Sequence, residues 1–486
     1  MQKIIIPCLV IGAATGCKSG SAEQTKSECG SRPNIILFVT DDHGRDALGC
    51  YGNPVIKTPN LDALAASGVR FENAFCTSST SAASRSVLLT GQFGHATGSY
   101  GHVHDYHHFS TYDNVQTLPV LLAKDGYSTA RIGKYHVAPE KVYHFDQTFE
   151  ADPRSTVEMA DACGDFIKDS KKPFFLYFCP DDPHRGDPFK PEKWEDPNNF
   201  GNREGGYPGA EPEVYNTKDV LVPGFLPDTE ITRREIAEYY QSISRIDKGF
   251  GRLMELLKAS GKADNTLVVY ISDNGMAFPG AKTTLYEAGM RLPCIIDGPM
   301  VKGKNEVSNA MISWVDITPT LLDIAGVKYD KSAFHGHSFR GALDQSSNYS
   351  ADEVYGSHQF HEITMYYPMR VLRERQYKLF WNIAYKLDYP FASDLWDAST
   401  WQQIEHGKVK GLGERTVEQF LQRPEFELYD ISKDPNEVKN LAADPKYKKE
   451  LERMKSKLKK WQMATSDPWF IMWDHDAQFQ GTGVNL

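Results

Sequence analysis

Three apolar runs with no polar interruption constrain this chain most. Ile35-Ile36-Leu37-Phe38-Val39, Phe174-Phe175-Leu176-Tyr177-Phe178 and Leu267-Val268-Val269-Tyr270-Ile271 are each of strand length. A strand with one face in water alternates apolar and polar residues. An unbroken run is covered on both faces, which is the situation of a central parallel strand. Between these runs lie helical periodicities at 60–66, 118–124 and 157–167, with a further strand at 127–132. Ile236, Tyr239, Ile243, Ile246, Phe250, Leu253 and Leu257 recur every three to four residues and predict a long amphipathic helix, with Thr232 and Glu235 as its capping box. Strands alternating with helices imply a doubly wound α/β sheet with helices on both faces. From about residue 350 the rhythm changes. Met369 to Leu372 and Tyr377 to Trp381 read as a hairpin, and Leu451, Met454, Leu458 and Trp461 mark one face of a last helix. The expected organisation is a catalytic domain over 32–350 and a smaller C-terminal α+β subdomain over 351–486, with an antiparallel sheet, that completes the pocket.

The first 17 residues read as an export signal. Lys3 precedes an apolar stretch from Ile4 to Ala14, too short to span a bilayer, and Thr15-Gly16-Cys17 ends it. This resembles a bacterial lipoprotein signal with Cys17 as the lipidated residue; an ordinary secretory signal is the alternative. Residues 18–31 form a polar tether. The expected location is the periplasm or outer membrane, with the membrane met only through the lipid. Cys29, Cys50, Cys76, Cys163, Cys179 and Cys294 show no metal-ligand spacing, and no disulfide framework is expected. A net charge of -10 excludes a general polyanion or nucleic-acid binder, so any positive charge for an anionic substrate must be local. Lys446, Lys448, Lys449, Arg453, Lys455, Lys457, Lys459 and Lys460 form a basic helix face. It reads either as a surface for a sulfated chain or as a solvated face balanced by nearby acid.

Chemistry gathers where strands end, which is where open α/β sheets bind ligands. Asp41-Asp42 follows the first run and Asp273-Asn274-Gly275 the third. Three carboxylates and an amide are hard oxygen ligands suited to Ca²⁺ or Mg²⁺; each pair alone is also a common turn former. Lys134 and His136 follow the strand at 127–132, and His184 follows the second run within Asp181-Asp182-Pro183-His184. Arg85, Lys134 and Lys282 are candidates to neutralise an anion, and His136 and His184 to move protons. The stretch Ser81-Ala82-Ala83-Ser84-Arg85, running on to Gly91, sets a hydroxyl at a helix start, where free N–H groups and the helix dipole favour an anion.

That stretch resembles the sulfatase signature, in which Cys or Ser is followed by any residue, Pro or Ala, any residue, then Arg. Cys76 is out of register because Thr80, not arginine, stands four residues on. Asp41-Asp42, Gly133-Lys134-Tyr135-His136, Asp181 to His184 and Ser272 to Gly275 appear in the same order as in that family. So do Glu427-Leu428-Tyr429-Asp430 and Asp434-Pro435-Asn436-Glu437. The resemblance implies the alkaline-phosphatase-like fold and one Ca²⁺ held by Asp41, Asp42, Asp273, Asn274 and residue 81. It implies that Ser81 is oxidised to formylglycine (3-oxoalanine) by a sulfatase-maturing enzyme. Ser99-Tyr100-Gly101, Tyr106 to Phe109, Gly356-Ser357-His358, Thr364 to Arg370 and Asp467-Pro468-Trp469 resemble the sulfamidase branch. That narrower resemblance implies hydrolysis of the N-sulfate of non-reducing-end N-sulfoglucosamine in heparin or heparan sulfate fragments, with His361, Glu362 and Arg370 in the sugar pocket. Ser81 stands where animal members of the branch carry Cys, and Lys282 where they carry Arg.

Two other readings stay open at this point. One is an O-sulfatase of the same fold acting on a 6-O-sulfated hexosamine. The other is a non-catalytic glycan-binding lipoprotein in which Ser81 stays serine. A phosphatase of the same superfamily would need a second full set of Asp/His zinc ligands, which the sequence does not show.

Overall fold

A computed structural model describes residues 32–188, 190–345, 349 and 351–474. The expected signal, Cys17, the tether and Cys29 lie outside the described residues. The strands in chain order are β1 (Asn34–Thr40), β2 (Val69–Phe75), β3 (Ser128–Gly133), β4 (Gln147–Phe149), β5 (Phe174–Cys179), β6 (Thr266–Ser272), β7 (Cys294–Asp297) and β8 (Glu306–Ser313). They form one sheet in the order β4-β3-β5-β1-β6-β7-β2-β8. All three unbroken runs are neighbours at its centre and run parallel, with Ile36 opposite Leu176 on one side and Val268 on the other.

Alternate residues of these runs enter different cores. Ile36, Phe38, Leu176, Phe178, Val268 and Tyr270 pack with Ile236, Tyr239, Ile243, Ile246 and Phe250 of the long helix Glu230–Ala259. Ile35, Leu37, Val39, Phe175, Tyr177, Val269 and Ile271 pack on the other face with Val87, Leu88 and Leu89 of the helix Ser81–Thr90. Each such side chain, fully buried, contributes about 1.5–3 kcal/mol of transfer free energy. This is why no polar residue interrupts the runs.

The sheet is mixed rather than all parallel. β7 is antiparallel to both β6 and β2. The chain leaving β6 turns back along the same edge of the sheet instead of crossing over, so it returns in the opposite direction. The second reversal, from β7 to β2, restores the direction of β6. β1, β2, β3, β5 and β6 therefore all point their C-terminal ends to one edge.

Two helix expectations are corrected. The cap of the long helix is Thr229, whose side chain accepts from the Thr232 amide. Thr232 is already in the first turn, and Glu235 is buried, taking Arg185 Nη1 at 2.7 Å and the Thr400 amide at 2.8 Å. The helix expected over 157–167 is two, Thr156–Ala162 and Gly164–Asp169, meeting at Cys163.

The C-terminal part holds a second, antiparallel sheet. Its strands are β9 (Glu353–Phe360), β10 (Tyr366–Glu374), β11 (Tyr377–Asn382) and, after the short ribbon β12 (Gly411–Leu412) with β13 (Arg415–Thr416), β14 (Phe426–Asp430). The order is β14-β11-β10-β9. The expected hairpin is β10–β11, with Leu372 opposite Leu379. Val371, Leu372, Leu379 and Phe380 join the same hydrophobic cluster as Leu37 and Val87. The last helix, Lys448–Ala464, buries Met454, Leu458 and Trp461. Part of its basic face is met by acid: Arg453 pairs with Glu374 and Glu450, Lys457 with Glu353 and Glu374, and Lys455 with Glu452. The five cysteines among the described residues carry free thiols.

Arg370, expected at the sugar, holds this region together instead. The β10 register sets it between Ser357 and Trp381. Its fully buried guanidinium donates to Asp467 Oδ2 at 2.6 Å and Oδ1 at 2.8 Å, just beyond the last helix. Removing one partner leaves an uncompensated buried charge. Asp467→Ala is therefore expected to lower stability by about 3–5 kcal/mol in urea unfolding. A loss under about 1 kcal/mol, the scale of an exposed pair, would show that the pair is not structural.

Candidate functional site

The common strand direction delivers the chemistry to one place. Asp41-Asp42 leaves β1, Asp273-Asn274 leaves β6, Lys134 and His136 leave β3, and Asp181 to His184 leave β5. β2 ends at Phe75 and leads into Ser81 at the first position of its helix. Carboxylate oxygens of Asp41, Asp42 and Asp273 lie within 4.8 Å of one another, all three residues fully buried. Ser81 Oγ donates to Asp41 Oδ1 at 2.8 Å and sits 3.3 Å from Asn274 Oδ1. Asn274 Nδ2 donates to Asp42 Oδ1 at 2.5 Å.

Each carboxylate is met by one base. Lys134 pairs with Asp41. Lys282 Nζ is 2.8 Å from Asp42 Oδ2, and Arg85 Nε and Nη2 reach Asp273 Oδ2 at 3.0 and 2.9 Å. Burial raises Asp42 to about 6, with Asp41 and Asp394 adding repulsion against the pull of Lys282. Burial and the charges of Asp41 and Asp42 raise Asp273 to about 7 against Arg85. Asp41 is also pushed up by burial, but Lys134, His184, Arg85 and Lys282 together hold it well below the usual carboxylate range. Three buried, crowded carboxylates with an amide oxygen are a donor set that fits one hard divalent cation, and no soft one.

The helix Ser81–Thr90 presents its N-terminus to this cluster. All ten residues are buried, and Gly91 closes the helix at φ 65°, where an added Cβ would meet Phe334 at 2.6 Å. Thr80 makes no side-chain cap, because its hydroxyl is 2.6 Å from His361 Nδ1. The first-turn donors are thus left to face an anion. Arg85 lies one turn on, but beneath the floor: it supports Asp273 and does not line the cleft. Asp42 (φ 70°), His136 (φ 52°) and Thr283 (φ 67°) hold left-handed backbone here. Such strain persists where surrounding structure enforces it, and it clusters at functional sites.

Above the floor opens a cleft of 680 Å³. Asp41, Ser81, Lys134, His136, His184, Lys282, His361 and Glu362 all line it. His184 Nδ1 is fixed 3.0 Å from the Arg185 carbonyl, which leaves Nε2 facing Asp394 Oδ2 at 3.6 Å and Asp42 Oδ2 at 3.9 Å. Burial, with Lys282 and Lys134, lowers His184 to about 4. Glu362 accepts from the Ser393 amide at 2.8 Å and its hydroxyl at 2.7 Å.

Several lining residues escaped the sequence reading. Asp394 accepts from Lys282 at 2.6 Å, while its Oδ1 is buried without a partner. Nothing in 391–396 marks it beforehand. His102, His104 and His107 also line the cleft. The density of histidine from 102 to 108 was the available signal. Asp182 is not in the cleft; it is buried between Arg154 and Arg245 at 2.6 Å each.

Similarity to known proteins follows the same outline. The Sulfatase family profile matches residues 33–327, and the profile "N-sulphoglucosamine sulphohydrolase, C-terminal" matches 280–399. The chain is 37% identical to human N-sulphoglucosamine sulphohydrolase over 465 residues, 91% of this chain and 92% of that protein. It is 26% identical to N-acetylglucosamine-6-O-sulfatase of Bacteroides thetaiotaomicron over 96% of this chain and 91% of that one. A solved protein in complex with its substrate D-glucosamine-2-N,6-O-disulfate superposes with a TM-score of 0.65 at 23% identity, covering 90% of this chain and 99% of that one. A 2-O glycosaminoglycan sulfatase gives 0.67 at 21%, covering 92% and 94%. These two show a shared fold.

The carboxylate cluster predicts a cation-dependent stability. A Ca²⁺ concentration of 100 times Kd should stabilise the protein by about 2.7 kcal/mol, read as a rise in unfolding temperature over EDTA-treated protein. Asp273→Ala should lose that rise. An equal rise in the variant would place the ion elsewhere.

Proposed function

The chain belongs to the sulfatase family, and from that premise we propose that it removes the N-linked sulfate from non-reducing-end N-sulfoglucosamine of heparin or heparan sulfate fragments. One observation carries the reading. Ser81, the signature hydroxyl, lies on a triple-carboxylate cluster in a chain that resembles an N-sulphoglucosamine sulphohydrolase over 91% of its length.

In the net reaction an S–O bond forms to water's oxygen, the N–S bond breaks, and the glucosamine nitrogen takes a proton. Ca²⁺ held by Asp41, Asp42, Asp273, Asn274 and residue 81 would supply positive charge beside the sulfate oxygens. Oxidation of Ser81 to formylglycine, a two-electron step performed by a separate maturing enzyme, would supply a hydrated aldehyde. Two hydroxyls on one carbon would let residue 81 both take up and give up sulfate, which plain serine could not do. The remaining work falls to this chain's own side chains. Lys134 and Lys282 face the cleft as fixed cations for the sulfate, and preorganised charge of this kind is commonly the largest catalytic contribution. His184 keeps Nδ1–H on the Arg185 carbonyl and turns Nε2 to the cleft, so Nε2 must first take up a proton. A sulfate anion beside Lys134 and Lys282 offsets the charges that keep the ring neutral and would let it protonate the leaving nitrogen. His136 is the second choice, because its Nε2 is 2.9 Å from His104 Nδ1. His361 and Glu362 line the same cleft and would meet the sugar there.

The similarity to N-acetylglucosamine-6-O-sulfatase over nearly the whole chain favours a 6-O-sulfated hexosamine as the second reading. Protein made with a maturing enzyme should release sulfate from N-sulfoglucosamine faster than from the 6-O-sulfated sugar, and mass spectrometry should find the residue-81 peptide lighter by two hydrogens. Faster release from the 6-O-sulfated sugar would transfer the assignment to the second reading. An unoxidised Ser81 in active protein would remove the aldehyde chemistry altogether.

His184→Ala should slow sulfamate hydrolysis by about 100-fold or more and an activated aryl sulfate far less, because only the poor leaving group needs the proton. Equal losses on both substrates would end its role as the acid.

A further inference from the structure

His102, His104, His107 and His108 fall within seven residues, and the first three reach the cleft beside His136 and His361. Ring nitrogens of His102, His104 and His136 lie within 4.8 Å of one another. His104 Nδ1 and His136 Nε2 are 2.9 Å apart, and the His102 ring centre is 4.9 Å from each of the other two. The buried Nδ1 atoms of His102 and His136 have no hydrogen-bond partner. Burial pushes the His102 imidazole down to about 2 and lowers His104 and His136 below the ordinary value, which favours neutral rings. The loop that carries two of them is pinned. The His102 amide donates to the His361 carbonyl at 2.9 Å, the Phe360 amide donates to the Tyr100 carbonyl at 3.1 Å, and a Cβ on Gly101 would meet the His361 carbonyl at 2.8 Å.

We propose that His102, His104 and His136 form a nitrogen-donor site for Zn²⁺ in the cleft wall, apart from the oxygen-donor set of Asp41, Asp42 and Asp273, and that zinc bound there closes the cleft. Neutral imidazole is the ligand form, and three histidines with an open fourth position are a known zinc arrangement. Zn–N bonds of about 2.0–2.1 Å set tetrahedral nitrogens about 3.4 Å apart, so the His104–His136 pair needs to part only slightly. The two sets sort cations by hardness: imidazole takes zinc, and the buried carboxylates take calcium or magnesium. His104 and His136 both line the cleft, so an ion between them shares space with any substrate. The site does not depend on which sulfate is cut.

Calorimetric titration of the purified protein with Zn²⁺ in excess Ca²⁺ tests the site without an activity assay. One zinc per chain should bind, and Co²⁺ in its place should give the visible bands of a tetrahedral nitrogen site. His104→Ala, at a half-exposed position, should keep its unfolding temperature and lose at least about tenfold in zinc affinity. Asp273→Ala should bind zinc as the wild type does. No saturable binding, wild-type affinity in His104→Ala, or loss of binding in Asp273→Ala would each overturn the proposal.

Discussion

Three carboxylates buried at one edge of a sheet are the constraint around which this molecule is arranged. Asp41, Asp42 and Asp273 are fully buried, and each is given a base: Lys134, Lys282 or Arg85. Unpaired, any one of them would be among the costliest things a protein interior can hold. The bases come from just after β3, from the segment after β6 and from the helix that begins at Ser81. Meeting the charge therefore means fixing those elements against each other. The position of Ser81 follows from the same demand, since Arg85, one helical turn on, is tied to Asp273.

The sheet makes this convergence possible. Parallel neighbours β3, β5, β1 and β6 bring four strand ends side by side, and the double reversal through β7 adds the end of β2. The C-terminal part adds to the cleft lining His361 and Glu362, just after β9, and Asp394 from the short helix Ser393–Trp396. Asp394 couples the two parts electrically: it accepts from Lys282, which also holds Asp42.

What the sequence made legible tracks how local the cause is. β1, β5 and β6 follow from apolar runs that only a doubly covered strand explains, so the residues directly after them could be named beforehand. Ser81 was legible from its register with Arg85 and Gly91. The direction of β7 was not, because hydrophobicity records burial and not orientation. Thr232 and Glu235 satisfy a capping pattern, yet tertiary contacts with Arg185 and Thr400 claimed Glu235, and Thr229 became the cap. Arg370 was assigned to the sugar by resemblance alone; the β10 register turns it to Asp467. Asp394 had no signal at all, because its importance arises only from what folding brings beside it.

The helix that starts at Ser81 is sealed along its whole length, and Ser81 itself is 1% exposed. A second protein cannot enclose a side chain so placed. An enzyme that rewrote residue 81 would therefore have to meet it as extended chain, before the sheet edge assembles, and folding would set the deadline for such a change.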